Sequence, residues 1–475
     1  MHKKTLLSII FFLNIIICFS QEGKHISALK NNKVFSSAII GICVQDLDGK
    51  ELVSLNRNTS MTPASTLKII TTATALEILG SQFRFKTELL TDDKQNGKLI
   101  VRGYGDPTLG SEHFGETTKY FLSKWAEETG KVFTSGLNEI EIDDSYFGYN
   151  GVSLKWLRED IGNYFASGSY GVSIFDNSYK LFFNTINNLS TPQIVKTEPE
   201  MPDITFSNTL TLNTTGKDNG YILGEPFSNK RLLVGDIPAG RASFSIKGDI
   251  PDPGLYLGKI LASQLNKDGH GPSFYTVRQN FDKQPVFKKS ENVFYTHLSP
   301  PLKDIIRIVN VKSNNHYAEH LIRKVGRTKI NQPISSDPLP TGIDHILQYW
   351  QNKGFDTSTL FMYDGCGLSP SNAISPKLMC DILVYMGNKS KNSDIFLASF
   401  PKAGEEGTVR NFLKGSKLSG KVFVKSGSIA NVQCYAGYYI NGEKKYAFSI
   451  MVNNFRKNSR TETVKAIEEF LNAIF

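Results

Sequence analysis

The sequence predicts an α+β fold in which one antiparallel sheet is assembled from both ends of the chain and flanked by helices. Two hairpin signatures and a recurring helical period support this reading. Residues 38–47 read as a strand, Asp48-Gly49 as a tight turn and residues 50–55 as the partner strand. Near the other end, residues 421–425 and 434–440 read as strands, Asn441-Gly442 as a second tight turn and residues 444–453 as a further strand. Apolar residues at helical spacing, such as Leu67, Ile70, Ala73, Leu76 and Leu79, mark the covering helices.

In chain order, His2-Lys3-Lys4 precedes an apolar run from Leu6 to Ile17 broken only by Ser8 and Asn14, followed by Cys18-Phe19-Ser20. This is the pattern of a secretory signal peptide, residues 1–20, cut after Ser20. A lipoprotein reading would modify Cys18, although Ile17 is large for the position before such a cysteine. No later apolar run is long enough to span a bilayer, so the mature chain is expected to be exported, periplasmic or extracytoplasmic, without a membrane span. Cys43, Cys366, Cys380 and Cys434 remain, none in a C-x-x-C pair, and read as buried thiols rather than a disulfide framework or zinc site. An exported compartment would still permit a bridge.

The chain of 475 residues has 40% hydrophobic and 21% charged residues, enough for a substantial core in two or three domains. Its formal charge of +9 would suit an anionic partner. However, there is no Lys/Arg block or basic stripe interleaved with aromatics, so nucleic acid is not an expected partner.

The stretch from Thr62 to Gly80 reads as a buried helix, with a bend at Pro63 and a C-terminal glycine at Gly80. Ser65 and Lys68 lie three residues apart near its start, so a hydroxyl and an amine share one face. A serine activated by a neighbouring amine is a known nucleophile design. The same spacing occurs at Ser27/Lys30 and Ser399/Lys402, but only Ser65 opens a long apolar helix.

Residues 83–289 have a different texture. Short strand-like runs at 99–102, 140–142 and 209–212 are separated by turns such as Gly105-Asp106-Pro107 and Pro251-Asp252-Pro253, with few helical segments. This reads as a large β-rich insertion, possibly of two subdomains, between residues 21–82 and 290–475. The chain returns near Leu298-Ser299-Pro300-Pro301.

Residues 302–310 and 317–325 then read as helices joined through Ser313-Asn314-Asn315. Ser313 and Asn315 could point a hydroxyl and an amide into a cleft, and as plain structure they could simply cap a helix. Asp364-Gly365-Cys366-Gly367-Leu368-Ser369 reads as a tight loop. Lys425-Ser426-Gly427-Ser428, at the end of the 421–425 strand, reads either as an ordinary turn or as a carboxylate-binding wall.

The ordered set Ser65-x-x-Lys68, Ser313-Asn314-Asn315 and Lys425-Ser426-Gly427 matches the motifs of β-lactamases and penicillin-binding proteins. The chain resembles the low-molecular-mass class C penicillin-binding proteins, the D-alanyl-D-alanine carboxypeptidase/endopeptidase family. Further matching segments are 105–109, 142–145, 364–369 and 403–408, so the resemblance covers nearly the whole mature chain. The long insertion between the first two motifs also fits this family rather than the β-lactamases. Two positions depart from the family pattern: Ser426 replaces a usual threonine, and Cys366 replaces a usual serine.

The resemblance implies a penicillin-binding/β-lactamase-like fold and a serine hydrolase of peptidoglycan stem peptides, acylated by β-lactam antibiotics. Ser65 would be the nucleophile, Lys68 its base and Ser313 the proton relay. Asn315, Lys425, Ser426, Gly427 and Ser428 would bind substrate, with backbone N–H groups of Ser65 and Ser428 facing the oxyanion. No cofactor or metal is implied. Lys68 must fall about three pKa units to act at neutral pH, roughly 4 kcal/mol, through burial and a neighbouring cation such as Lys425.

Two alternatives remain at this stage. His316-Tyr317-Ala318-Glu319-His320 matches H-x-x-E-H, which would make a zinc peptidase of His316, Glu319 and His320. The same fold could also serve as a β-lactam or peptidoglycan-binding module with slow or no turnover.

Overall fold

The computed structural model describes residues 24–92, 97–115, 119–186, 191–267, 269, 271–272, 274–278, 291–328 and 337–475. The expected signal peptide lies outside these residues, as does the 289/290 boundary.

Five antiparallel strands form the sheet made from both termini, in the order Val422–Ile429, Val432–Asn441, Lys444–Asn453, Ile39–Asp46 and Glu51–Leu55. Both predicted hairpins form, with Gly49 at φ +87° and Gly442 at φ +63°, values an L side chain rarely adopts. Side chains alternate across the sheet. Cys434, Ala436 and Tyr438 face one core, while Tyr435 and Tyr439 face the other. The first core holds the helices Lys68–Leu79, Leu302–Lys312, Asn315–Gly326, Pro338–Asn352 and Pro376–Val384. The second is covered by the C-terminal helix Arg460–Ile474, through Ile467, Phe470 and Leu471. Layers on both faces explain why Ala447 to Asn453 are buried without a break.

Several local expectations change. The Ser65 segment begins as a 3₁₀ turn, Ala64–Leu67, before the α-helix Lys68–Leu79. The Lys425 strand continues through Ile429, so Lys425-Ser426-Gly427-Ser428 lies inside an edge strand rather than in a turn. Ser459 precedes the last helix without capping it, because its hydroxyl donates to Arg456 O.

The middle of the chain builds a second five-stranded sheet, ordered Phe274–Arg278, Glu139–Asp143, Lys98–Gly103, Lys86–Asp92 and Glu291–Leu298. Its first three strands are parallel, and parallel neighbours need crossover connections. The helices Phe121–Val132 and Pro253–Lys267 lie in these connections and pack Trp125, Leu257, Leu261 and Leu265 into the sheet's core. Residues 83–289 are therefore more helical than the texture suggested. A separate core around Leu181, Ile222, Leu233 and Ile237 holds three smaller sheets.

Candidate active site

The 3₁₀ turn sets the first contact. With three residues per turn, positions i and i+3 eclipse, and Lys68 Nζ lies 2.9 Å from Ser65 Oγ. Lys68 is fully buried, and its nitrogen also meets Asn315 Oδ1 at 2.6 Å and the Cys366 carbonyl at 2.6 Å. A neutral amine has two N–H donors and one lone pair. Donating to Asn315 and Cys366 leaves that lone pair for the Ser65 hydroxyl proton.

Two glycines let neighbouring segments approach the Ser65 turn. A Cβ at Gly427 would lie 2.6 Å from Pro63 O and 2.9 Å from Ser65 N, and one at Gly367 would lie 2.0 Å from Ala64 O. Ala64 itself sits at φ +46°, a strained left-handed conformation held by this packing.

Ser313 ends the helix Leu302–Lys312 in a left-handed conformation, φ +56° and ψ +39°. Asn314 then caps the next helix, its side chain accepting from Tyr317 N at 2.9 Å. The capping role therefore falls to Asn314, and Ser313 and Asn315 are left to line the cleft. Asn315 Nδ2 donates to Phe165 O at 2.7 Å, which leaves one of its two amide N–H groups for a ligand.

Lys425 is fully buried and donates to Ser313 Oγ at 2.8 Å and to Ser426 O at 2.6 Å. Ser426 Oγ meets Thr408 Oγ1 at 2.8 Å. Ser65, Ser313, Asn315, Thr408 and Ser428 all line a cleft of about 880 Å³ that also reaches Asp160, Tyr164 and Lys247 in the middle region.

Burial pushes the Lys68 amine below its ordinary range, while Cys366, Asp364 and Glu319 pull it the other way. Lys425 is pushed well below its ordinary range, first by burial and then by the like charge of Lys68. Desolvation leads for both amines, and the charge of either lysine disfavours charge on the other.

Of the other sequence candidates His316 borders the cleft, while Glu319 and His320 are engaged elsewhere. Glu319 forms a fully buried ion pair with Arg323 at 2.7 Å and accepts from Gly365 N at 2.6 Å. His320 Nδ1 lies 2.8 Å from the His316 carbonyl and Nε2 lies 2.8 Å from Ser173 Oγ. With these partners, Glu319 and His320 brace the helix and do not form a ligand set with His316. Burial lowers His320 to about 3, so it stays neutral at ordinary pH. Ser27 and Lys30 are exposed, and Ser399 Oγ donates to Phe396 O within its own turn. The four described cysteines are free and buried. Cys366 serves the site through its carbonyl, with burial pushing its thiol well up.

Sequence reasoning missed the support behind Lys68. Asp364 accepts from Gly367 N at 2.7 Å, Ser369 N at 2.7 Å, Asn372 Nδ2 at 2.8 Å and the Trp156 indole at 2.9 Å. This network shapes the loop that presents the Cys366 carbonyl and ties it to the middle region. The clustering of Asp, Gly and Asn in residues 364–372 was the available signal.

A serine-lysine pair beside a lysine-bearing edge strand, on an antiparallel sheet enclosed by helices, defines a serine peptidase of the penicillin-binding type. The chain belongs to the D-Ala-D-Ala carboxypeptidase 3 (S13) family, whose profile matches residues 24–474. It is 25% identical over 452 residues to the D-alanyl-D-alanine carboxypeptidase of Actinomadura sp. (strain R39), covering 91% of this chain and 80% of that one. The crystal structure of penicillin binding protein 4 from Haemophilus influenzae superposes with a TM-score of 0.77 at 25% identity, covering 94% of this chain and 98% of that one. A predatory endopeptidase from Bdellovibrio bacteriovorus shares the fold at a TM-score of 0.51 and 16% identity, covering 92% of each chain.

Proposed function

We propose that the chain is an exported serine D-alanyl-D-alanine carboxypeptidase or endopeptidase acting on peptidoglycan stem peptides and acylated by β-lactams. The observation that carries this reading is the hydrogen-bond set of buried Lys68, which fits a neutral base aimed at Ser65 Oγ. Ser65 attacks the carbonyl between the two terminal D-alanines, and its proton passes to Lys68. Ser313, bonded to Lys425, relays that proton from Lys68 to the leaving amine and keeps its own hydroxyl. The free N–H of Asn315 holds the substrate backbone, while Lys425 and Ser426 engage the terminal carboxylate. Backbone N–H groups of Ser65 and Ser428 face the oxyanion, each donor being worth about 3 kcal/mol. Water then releases the acyl group from Ser65.

This reading assigns residues 21–82 and 290–475 to a discontinuous peptidase domain with 83–289 inserted. Pairing of Glu291–Leu298 with Lys86–Asp92 favours a return at Leu298 instead of residue 290. Export rests on the N-terminal pattern, and no helix among the described residues is long and apolar enough to cross a membrane.

The test is intact mass after incubation with benzylpenicillin, beside Ser65→Ala and a chelator-treated sample. The expected result is one covalent penicillin per chain, lost only in Ser65→Ala. Absence of any adduct, with peptidase activity abolished by chelator, would overturn the assignment in favour of a metal-dependent site.

A further inference from the structure

Away from the cleft, two thiols take no part in the peptidase reading. The strand Ile39–Asp46 and the helix Pro376–Val384 pack against each other, and each contributes one fully buried cysteine, Cys43 and Cys380. Both are free thiols in the structure.

The register of this contact determines where the two sulfurs point. Ile40, Ile42 and Val44 enter the core covered by the C-terminal helix, so the alternate residues Gly41, Cys43 and Gln45 face the other way. On that side a Cβ at Gly41 would lie 2.7 Å from Pro376 Cγ, and Gln45 Nε2 donates to Asp381 Oδ1 at 3.1 Å. Two residues of strand advance about 6.7 Å and four residues of helix about 6 Å. One such step from the Gly41–Pro376 contact brings Cys43 to Cys380. The side chains meet there. Cys380 Sγ donates to Cys43 O at 3.1 Å, and contact with the Cys43 thiol adds to the burial that pushes the Cys380 thiol well up. Convergent side chains are what a disulfide requires.

The remaining cysteines do not compete for either sulfur. Cys434 stands two strands away with its thiol 3.5 Å from Thr62 O, and Cys366 lies in the loop behind Lys68. The contact also reaches the site. Ile374, just before the helix, pairs with Met61, just before the Ser65 turn, through two backbone hydrogen bonds of 3.0 Å.

We propose that Cys43 and Cys380 are joined by a disulfide when the chain folds in an oxidising compartment, pinning the helix Pro376–Val384 to the central sheet. The inference goes beyond the peptidase reading and shares with it only the expectation of export. The Cys43 thiolate attacks the disulfide of an exported dithiol oxidant and displaces one of its sulfurs as a thiol. Cys380 then attacks the mixed disulfide, forms the Cys43–Cys380 bond and displaces the second. Two protons and two electrons leave the chain, and the oxidant ends as its dithiol. Because both sulfurs are fully buried, this exchange belongs to folding, before the helix closes over the strand. The cysteines are 337 positions apart, and a crosslink stabilises more as the loop it closes lengthens.

The test counts thiols. The mature chain is secreted into a bacterial periplasm behind a borrowed leader, so that the result does not depend on its own N-terminus. The folded monomer is then denatured, alkylated with or without prior reduction, and weighed. Of the four cysteines, two are expected to take label without reductant and all four with it, whereas Cys43→Ala takes three labels either way. The digest should hold one Cys43–Cys380 peptide pair. The periplasmic chain should also melt about 5 °C above the same chain made in a reducing cytoplasm, and Cys43→Ala/Cys380→Ala should melt alike from both sources. Four labels without reductant, a pair that includes Cys366 or Cys434, or a wild-type Tm independent of source would overturn the crosslink. Benzylpenicillin acylation is measured on the same samples; its failure would sink the peptidase reading and leave the thiol count to decide the crosslink.

Discussion

Gly427→Ala tests the central geometry because the side chain it adds is a single methyl. Real Cβ contacts are ordinarily 3.4–4 Å, whereas this Cβ would meet Pro63 O at 2.6 Å, Thr66 N at 2.8 Å and Ser65 N at 2.9 Å. All three neighbours are backbone atoms of the Ser65 turn, so none can rotate away. Relief therefore requires the edge strand and the turn to separate by about 0.8 Å. That displacement is large against the 2.8 Å Lys425–Ser313 and 2.9 Å Lys68–Ser65 contacts on either side of the turn. A misplacement near 1 Å costs about 100-fold in rate, while overpacking one methyl costs about 1–3 kcal/mol of stability. We expect benzylpenicillin to acylate Gly427→Ala about 100-fold more slowly, with the cooperative melt preserved. Gly49→Ala is the control: its φ of +87° strains an alanine, but no atom lies within 4 Å, so it should lower stability and leave acylation unchanged. Acylation of Gly427→Ala within about threefold of wild type would refute the claim that close approach of this strand positions Ser65.

Two further predictions concern protons and hydroxyls. The Lys68 amine is lowered by burial, so the neutral base accumulates below the pH at which a free lysine would lose its proton; the acylation rate constant should rise with pH and reach its plateau below the ordinary lysine pKa, and a rate still climbing through that value would show a charged Lys68. Thr408→Val deletes the hydroxyl 2.8 Å from Ser426 Oγ; one lost hydrogen bond of about 0.5–1.5 kcal/mol should raise KM about 2–10-fold for peptides with a free C-terminal carboxylate. Adding Ser426→Thr should recover part of that loss, because a β-branched residue fixes its own χ1, and an equal loss for C-terminally amidated peptides would argue against this role.

Much of the fold was readable because its signals are local. The Asp48-Gly49 and Asn441-Gly442 hairpins and the apolar spacing from Leu67 to Leu79 need only neighbouring residues to show themselves. The three motif positions were readable for the same reason. What the residues did not give was the pairing of segments far apart in sequence. The middle strands at 98–103 and 139–143 run parallel because of a helix between them, and short polar runs do not announce such crossovers. The H-x-x-E-H match failed for the complementary reason: its spacing puts His316 and His320 on one side of the helix, but Arg323, four residues beyond Glu319, claims the carboxylate.

The same distinction explains which site residues escaped notice. Ser65, Lys68, Ser313, Asn315 and Lys425 carry recognisable side-chain chemistry in recognisable order. Their setting depends on groups whose task no side-chain pattern announces: the Cys366 carbonyl, the Phe165 carbonyl and the carboxylate of Asp364. Two of these act through backbone oxygen, which every residue possesses. The substitution of cysteine at 366 is tolerable for that reason, since Lys68 reads the carbonyl and the thiol is turned into the core. Burying two lysines without a carboxylate in direct contact works against stability, and the sheet and helices around them must offset that penalty. A site of this kind belongs in the largest core of the molecule, which is where Leu67 and Ile70, flanking Lys68, are found.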